Sequence, residues 1–332
     1  MTPHHLREYL ETLIHNSLYL STMIWGAPGI GKSSIVRQIA THNDLGFIDL
    51  RLSQLAPTDL RGLPVPSDGI TRWAVPEFLP ASGRGILFMD EINMAPPAMQ
   101  GVAQQLILDR CIGSYQLPEG WFVWAAGNRK EDRASVYDMP SPLANRFIHL
   151  TVEPNIENFR QYAFTRGLHE AIVGFIAFRN DLLHKMIPGE PSWPSPRSWE
   201  MASQLHGAGL RIDPAVGTAA SAEFYAYLDV VGQIPDLDRI LAGTQTPEFP
   251  AETSLKYACV MGLVARIKTV DQALCGLNWL VATATAEWTQ LFVADLFPQL
   301  RDKGIFVEVQ QRIMADPNLR EFLTSYAKLL AG

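Results

Sequence analysis

Gly26-Ala27-Pro28-Gly29-Ile30-Gly31-Lys32-Ser33 fits the pattern G-x-x-x-x-G-K-S/T, whose chemistry is the binding of phosphate. Glycines let the backbone curl until successive N–H groups point at one place. A helix that starts there adds the positive end of its dipole. Lys32 is then placed to reach the β and γ phosphates of a nucleotide, and the Ser33 hydroxyl to hold Mg²⁺; alone the loop fits a small-molecule kinase, a GTPase, a helicase or an ATPase. Gly26, Ala27, Pro28, Gly29, Ile30, Gly31, Lys32, Ser33 and the following Ser34 are the candidate nucleotide-binding residues.

Five further residues supply what hydrolysis of a phosphoric anhydride needs. Asp90 and Glu91 end the apolar run Gly85-Ile86-Leu87-Phe88-Met89, where Asp90 suits Mg²⁺ or its waters and Glu91 suits aligning and deprotonating an attacking water. Asn128 ends another apolar run, and a neutral amide there can bond both water and the γ phosphate without adding negative charge. Positive charge for the transition state is available from Arg146 and from Arg197, with Arg129 and Arg133 near enough to compete for the first of these roles. Ser33 and Asp90 are thus the candidate metal ligands, and Glu91, Asn128, Arg146 and Arg197 the candidate catalytic residues.

The elements that must carry these groups alternate between strand and helix up to residue 154. Thr22-Met23-Ile24-Trp25 reads as a strand before the glycine loop, Ser34 to Ala40 as a helix after it, and Gly46 to Leu50 as the next strand, which makes a βαβ unit with parallel strands. Leucine and isoleucine at 6, 10, 13, 14 and 18 predict a leading amphipathic helix over Leu6 to Leu18. Prolines and glycines between Arg51 and Gly85 prevent long elements, and Asp68-Gly69 signals a small hairpin. Trp73 beside that turn could grip a partner or fold back onto the domain. Ile112 to Pro118 predicts a second hairpin, and Phe147 to Val152 a fifth strand.

After Pro154 the strand signal stops, and helically spaced apolar residues run to the end, interrupted at Trp193 to Trp199, with Ser198 the candidate cap of the next helix. The expected organisation is an α/β P-loop core with a parallel sheet at 1–154, an all-helical lid at 155–228, and a helical C-terminal extension of unknown role at 229–332.

With 332 residues, 47% hydrophobic and 18% charged, the chain can bury a sizeable core. A net charge of −7 gives no general attraction to nucleic acid, so nucleic acid is not the default partner, although totals do not reveal a local basic patch. Three scattered cysteines without metal spacing fit reduced thiols in a cytoplasmic compartment. The N-terminus lacks a signal-peptide pattern, and Leu274 to Phe297 is interrupted by Glu287 and Asp295, so no membrane span is expected.

Together these motifs resemble an AAA+ ATPase. The similarity to the MoxR-like group is carried by Ile24 to Ser33, by Pro57-Thr58-Asp59-Leu60-Arg61-Gly62, by Phe88 to Ala95 and by Ala126-Gly127-Asn128-Arg129, and it spans about residues 20 to 205. The resemblance implies ATP and Mg²⁺ as ligands, a homo-hexameric ring with ATP between subunits, and Arg146 as a finger reaching a neighbour's γ phosphate. It also implies Arg197 as a second sensor on a helical lid, and small hairpins placed at Ile112-Gly113-Ser114 and at the loop from Arg129 to Tyr137. The activity so implied is chaperone-like remodelling of a protein client with a von Willebrand factor A domain partner. Other AAA+ proteins are nucleic-acid-stimulated motors or loaders, which is the alternative.

Overall fold

Apolar runs with no polar alternation form strands buried on both faces, as a parallel sheet requires. The computed structural model, which describes residues 1–67, 69–129, 131 and 137–321, contains β1 Thr22–Trp25, β2 Gly46–Arg51, a hairpin of β3 Leu63–Ser67 and β4 Ile70–Ala74, β5 Gly85–Asp90, a second hairpin of β6 Cys111–Ile112 and β7 Tyr115–Gln116, β8 Trp121–Gly127 and β9 Ile148–Thr151. Five of these make one parallel sheet in the order β2-β5-β8-β1-β9. β1 and β2 share this sheet but are separated by β8 and β5, so the expected βαβ unit spans two intervening strands.

The register explains why this order assembles the site. Loops leaving the C-terminal ends of β1, β5 and β8 emerge side by side, with Ile24 paired to Ala126 and Met89 to Ala125. Such ends are where an open α/β sheet gathers its ligands.

Helices α1 Pro3–His15 and α2 Lys32–His42 cover one face, where Leu6, Leu10, Val36 and Ile39 meet Ile24, Ile86, Phe88 and Trp124. A short α3, Pro57–Arg61, precedes the first hairpin, and α4 Pro97–Leu108 covers the other face, packing Met99, Val102 and Leu106 against Leu87, Met89 and Val123. α1 ends three residues before Leu18 because Asn16 closes it and Ser17 turns at φ +52°, which leaves Leu18 exposed. The first hairpin forms as expected, although Asp68 at its tip lies outside the described residues. Trp73 is half-buried, its indole bounding the space beside Gly113 of the second hairpin. Most of the loop from Arg129 to Tyr137 lies outside the described residues.

The chain divides into two units, Met1–Asn155 and Ile156–Gly332. α5, Ser141–Ala144, is the last helix of the first, and β9 follows it. The second is helical where described: α6 Ile156–Thr165, α7 Glu170–Phe178, α8 Pro196–Gly207, α9 Asp213–Val216, α10 Thr218–Val231, α11 Leu237–Leu241, α12 Thr253–Arg266, α13 Val270–Thr283, α14 Ala286–Asp302 and α15 Phe306–Ala315. One apolar cluster, from Phe159 to Leu319, takes residues from both of the stretches expected to be lid and extension. Arg160 of α6 also meets Asp295 of α14 inside that core, donating from Nε to Oδ2 at 2.9 Å and to Oδ1 at 3.2 Å. Burial still pushes the Asp295 carboxyl up to about 6, with Arg160 opposing. The cap of α8 is Ser195 rather than Ser198, because Pro196 fixes the first helical residue and Ser198 sits at the third, completing a reciprocal pair of hydrogen bonds.

Candidate nucleotide-binding site

β1 ends at Trp25, and the loop from Gly26 reaches α2 through Gly31, whose φ of +92° is a conformation that a side chain would strain. Ala27 and Ile30 are buried in the core on the α1–α2 side, so these two anchor the loop while its backbone lines the site. Ser34 is exposed on the first turn of α2. Lys32 is only 8% exposed. Its ammonium donates to Gly26 O at 2.7 Å, to Ala27 O at 3.0 Å and to Asn128 Oδ1 at 3.0 Å.

Ser33 Oγ donates to Asp90 Oδ2 at 2.5 Å, which brings together the two oxygens expected to hold a metal. Both are oxygen ligands of the hard type that Mg²⁺ selects, so the pair fits that ion. Asp90 Oδ1 accepts from the Glu91 N–H at 3.0 Å, and Glu91 itself takes φ +54°, uncommon for a residue with a side chain. Ser53, in the turn after β2, donates to Glu91 Oε2 at 3.5 Å. Sequence reasoning gave Ser53 no role; its signal was position, at the end of the strand that pairs with β5. Asp49 lies on the same face as Asp90, and burial together with the Asp90 charge raises its pKa, while Arg37 donates to it at 3.3 Å.

Asn128 is held by a residue the sequence reading passed over. Asn93, buried to 3% exposure in the turn after Glu91, donates from Nδ2 to Asn128 O at 2.7 Å and accepts from the Asn128 N–H at 3.3 Å. The two amides approach this closely because residue 127 is glycine: a Cβ there would lie 2.6 Å from Asn93 Oδ1 and 2.6 Å from Met23 Cε. The Asn128 Nδ2 faces Met94 Sδ at 3.7 Å.

The arginines separate by environment. Arg146 follows α5, is exposed, and has no side-chain hydrogen bond or ion pair among the described residues. Arg129 is half-buried and lies 3.6 Å from Glu153 and 3.9 Å from Glu131. Arg133 is outside the described residues. Arg197 stands exposed in the first turn of α8 in the second unit, also without a partner among the described residues. Lys32, Ser33, Asp90, Glu91 and Asn128 are therefore brought together in one unit, and Arg146 lies apart on that unit's surface.

With this geometry in view, residues 21–147 match the family model of the AAA domain, dynein-related subfamily. Among solved structures, the chain is similar to a point mutant of RuvB from Thermotoga maritima, at 18% identity and TM-score 0.44 over 71% of this chain and 72% of that one. It is similar also to NtrX from Brucella abortus in complex with ADP, at 14% identity and TM-score 0.42 over 90% of this chain and 68% of that one. The sheet order and the glycine loop give the first unit a P-loop α/β fold, of which residues 21–147 are similar to the AAA domain, and a helical region follows it. No helix among the described residues is long and apolar enough to cross a membrane.

Proposed function

We propose that the protein hydrolyses Mg-ATP at a site shared between neighbouring copies in a ring, as a MoxR-like remodelling ATPase acting on a protein client. The observation that carries this reading is the convergence of Lys32 and Asn128 on one side with Ser33, Asp90 and Glu91 on the other, from three adjacent strand ends.

In this reading the loop N–H groups and Lys32 hold the β and γ phosphates. Ser33 and Asp90 hold Mg²⁺, which when bound spreads charge over the phosphate oxygens. Glu91 takes the proton of the attacking water, and Asn128 fixes that water against the γ phosphate. The exposure of Arg146, against the pairing of Arg129 with Glu153, supports Arg146 as the group given to a neighbour. Such a group is worth about 10³ to 10⁵ in rate. The single core running from Phe159 to Leu319 supports the lid and the extension acting as one body, with Arg197 as its sensor. A hexamer and a von Willebrand factor A domain partner are the remaining parts of the proposal.

The test is phosphate release by Arg146→Ala. ATP binding is expected to persist while turnover falls by about 10³ or more. Normal turnover in this variant would remove Arg146 from the site.

A further inference from the structure

His149 lies on the edge strand β9, outside the constellation described above. Trp25 Nε1–H donates to its Nδ1 at 2.9 Å, and its Nε2 lies 2.8 Å from Ala144 O. An indole nitrogen only donates, so Nδ1 must be the bare nitrogen and Nε2 the one that carries hydrogen and donates to Ala144 O. The imidazole is therefore used at both ends. The two rings lie nearly parallel, with 11° between planes and 6.1 Å between centroids, and the hydrogen bond joins them edge to edge.

What the two ends hold decides the meaning of this bridge. Trp25 is the last residue of β1, directly before Gly26, and its carbonyl accepts from Val152 N at 2.8 Å. Ala144 ends α5, two residues before Arg146, and its carbonyl also accepts from Phe147 N at 3.2 Å. The turn that carries Arg146 is thus pinned inside by buried Leu143 and Phe147 and outside by His149. Because the Arg146 side chain has no partner of its own among the described residues, the turn alone sets the point from which its guanidinium reaches outward. His149 ties that attitude to the strand that feeds the phosphate loop.

We infer that His149 is a positioning residue: it holds the 144–147 turn to the phosphate-loop strand, so that the arginine given to a neighbouring copy is set by the loop that binds nucleotide in its own copy. This rests on the proposed role of Arg146. The bridge supplies a route within one subunit from the site it owns to the site it serves. His149 contacts Trp25 and Ala144 and none of Lys32, Ser33, Asp90, Glu91 or Asn128, so on this reading its effect appears through Arg146.

The test uses the full chain with His149→Phe, which keeps a planar ring beside Trp25 and removes both hydrogen bonds, and with Trp25→Phe, which removes the donor with part of the indole and leaves the bond to Ala144. Equilibrium binding of a fluorescent ATP analogue and steady-state phosphate release are measured for each, and for each combined with Arg146→Ala. His149→Phe should bind nucleotide within about twofold of the wild type while turnover falls roughly 10- to 100-fold, as for a misplaced catalytic group. Trp25→Phe should fall less. Neither should lower the residual turnover of Arg146→Ala. His149→Gln, which can accept from Trp25 and donate to Ala144, should recover part of the rate.

Unchanged turnover in His149→Phe, an equal further loss on the Arg146→Ala background, or a loss of nucleotide affinity that accounts for the rate would each overturn the inference. If Arg146→Ala loses turnover while His149→Phe does not, the shared site stands and the bridge fails. Normal turnover in Arg146→Ala overturns both.

Discussion

Lys32 and Asn128 stand 96 residues apart in the chain, and their side chains meet at 3.0 Å between Nζ and Oδ1. The ammonium proposed to meet phosphate is thus the partner of the amide proposed to hold water, and both are nearly buried. Asn128→Ala should leave nucleotide affinity close to normal and lower turnover by about 10² to 10³, the loss typical of one aligned polar group at a developing charge. Comparing the affinity for ATP with kcat separates this from simple loss of binding.

Glu91 is held by Ser53, which donates to an oxygen that glutamine also carries, and by a left-handed backbone turn. Glu91→Gln keeps the shape and removes the base, so it should bind ATP and turn over about 10² to 10⁴ times more slowly. Single-turnover hydrolysis of bound ATP checks this, and fast hydrolysis would reassign the base.

Gly127→Ala tests the approach of the two asparagines. Its Cβ would meet both Asn93 and Met23 at 2.6 Å, so strain of about 1–3 kcal/mol is expected, with turnover falling because Asn128 moves. Thermal unfolding and phosphate release are measured together. An alanine that leaves both unchanged would show that the Asn93 contact does not fix the site.

The buried pair Arg160–Asp295 makes a signed prediction about pH. The Asp295 pKa is raised on folding from 3.8 to about 6, so the folded chain holds the proton more tightly. The stability this group contributes is complete below about pH 4 and declines as pH rises to about 6, by on the order of 2–3 kcal/mol. A double variant, Arg160→Met with Asp295→Leu, should lose this slope and be as stable as the wild type or more so. Asp295→Leu alone should cost about 3–5 kcal/mol at neutral pH by leaving Arg160 buried without its partner. Denaturant unfolding across pH 4–7 checks all three.

Much of the sheet was legible because each strand carries its own apolar run, and Lys32, Ser33, Asp90 and Glu91 stand at strand ends marked by local sequence. The strand order was not legible, since nothing in Gly46 to Leu50 records that β5 and β8 will come between β2 and β1. Asn93 and Ser53 were missed for a related reason: their partners, Asn128 and Glu91, are 35 and 38 residues away, and an isolated Asn or Ser reads as a turn residue. The cap of α8 was misplaced by three residues because Ser195 and Ser198 have the same chemistry, and only the fixed φ of Pro196 decides between them.

Mixing two inactive variants tests the shared site most directly. Lys32→Ala lacks the phosphate contact but keeps Arg146, and Arg146→Ala lacks the arginine but keeps its phosphate loop. In a ring with head-to-tail contacts, an equal mixture should restore roughly a quarter of the sites and a corresponding part of the wild-type phosphate release. Phosphate release no greater than the sum of the two variants alone, in mixtures shown to co-assemble, would contradict a site built from two copies.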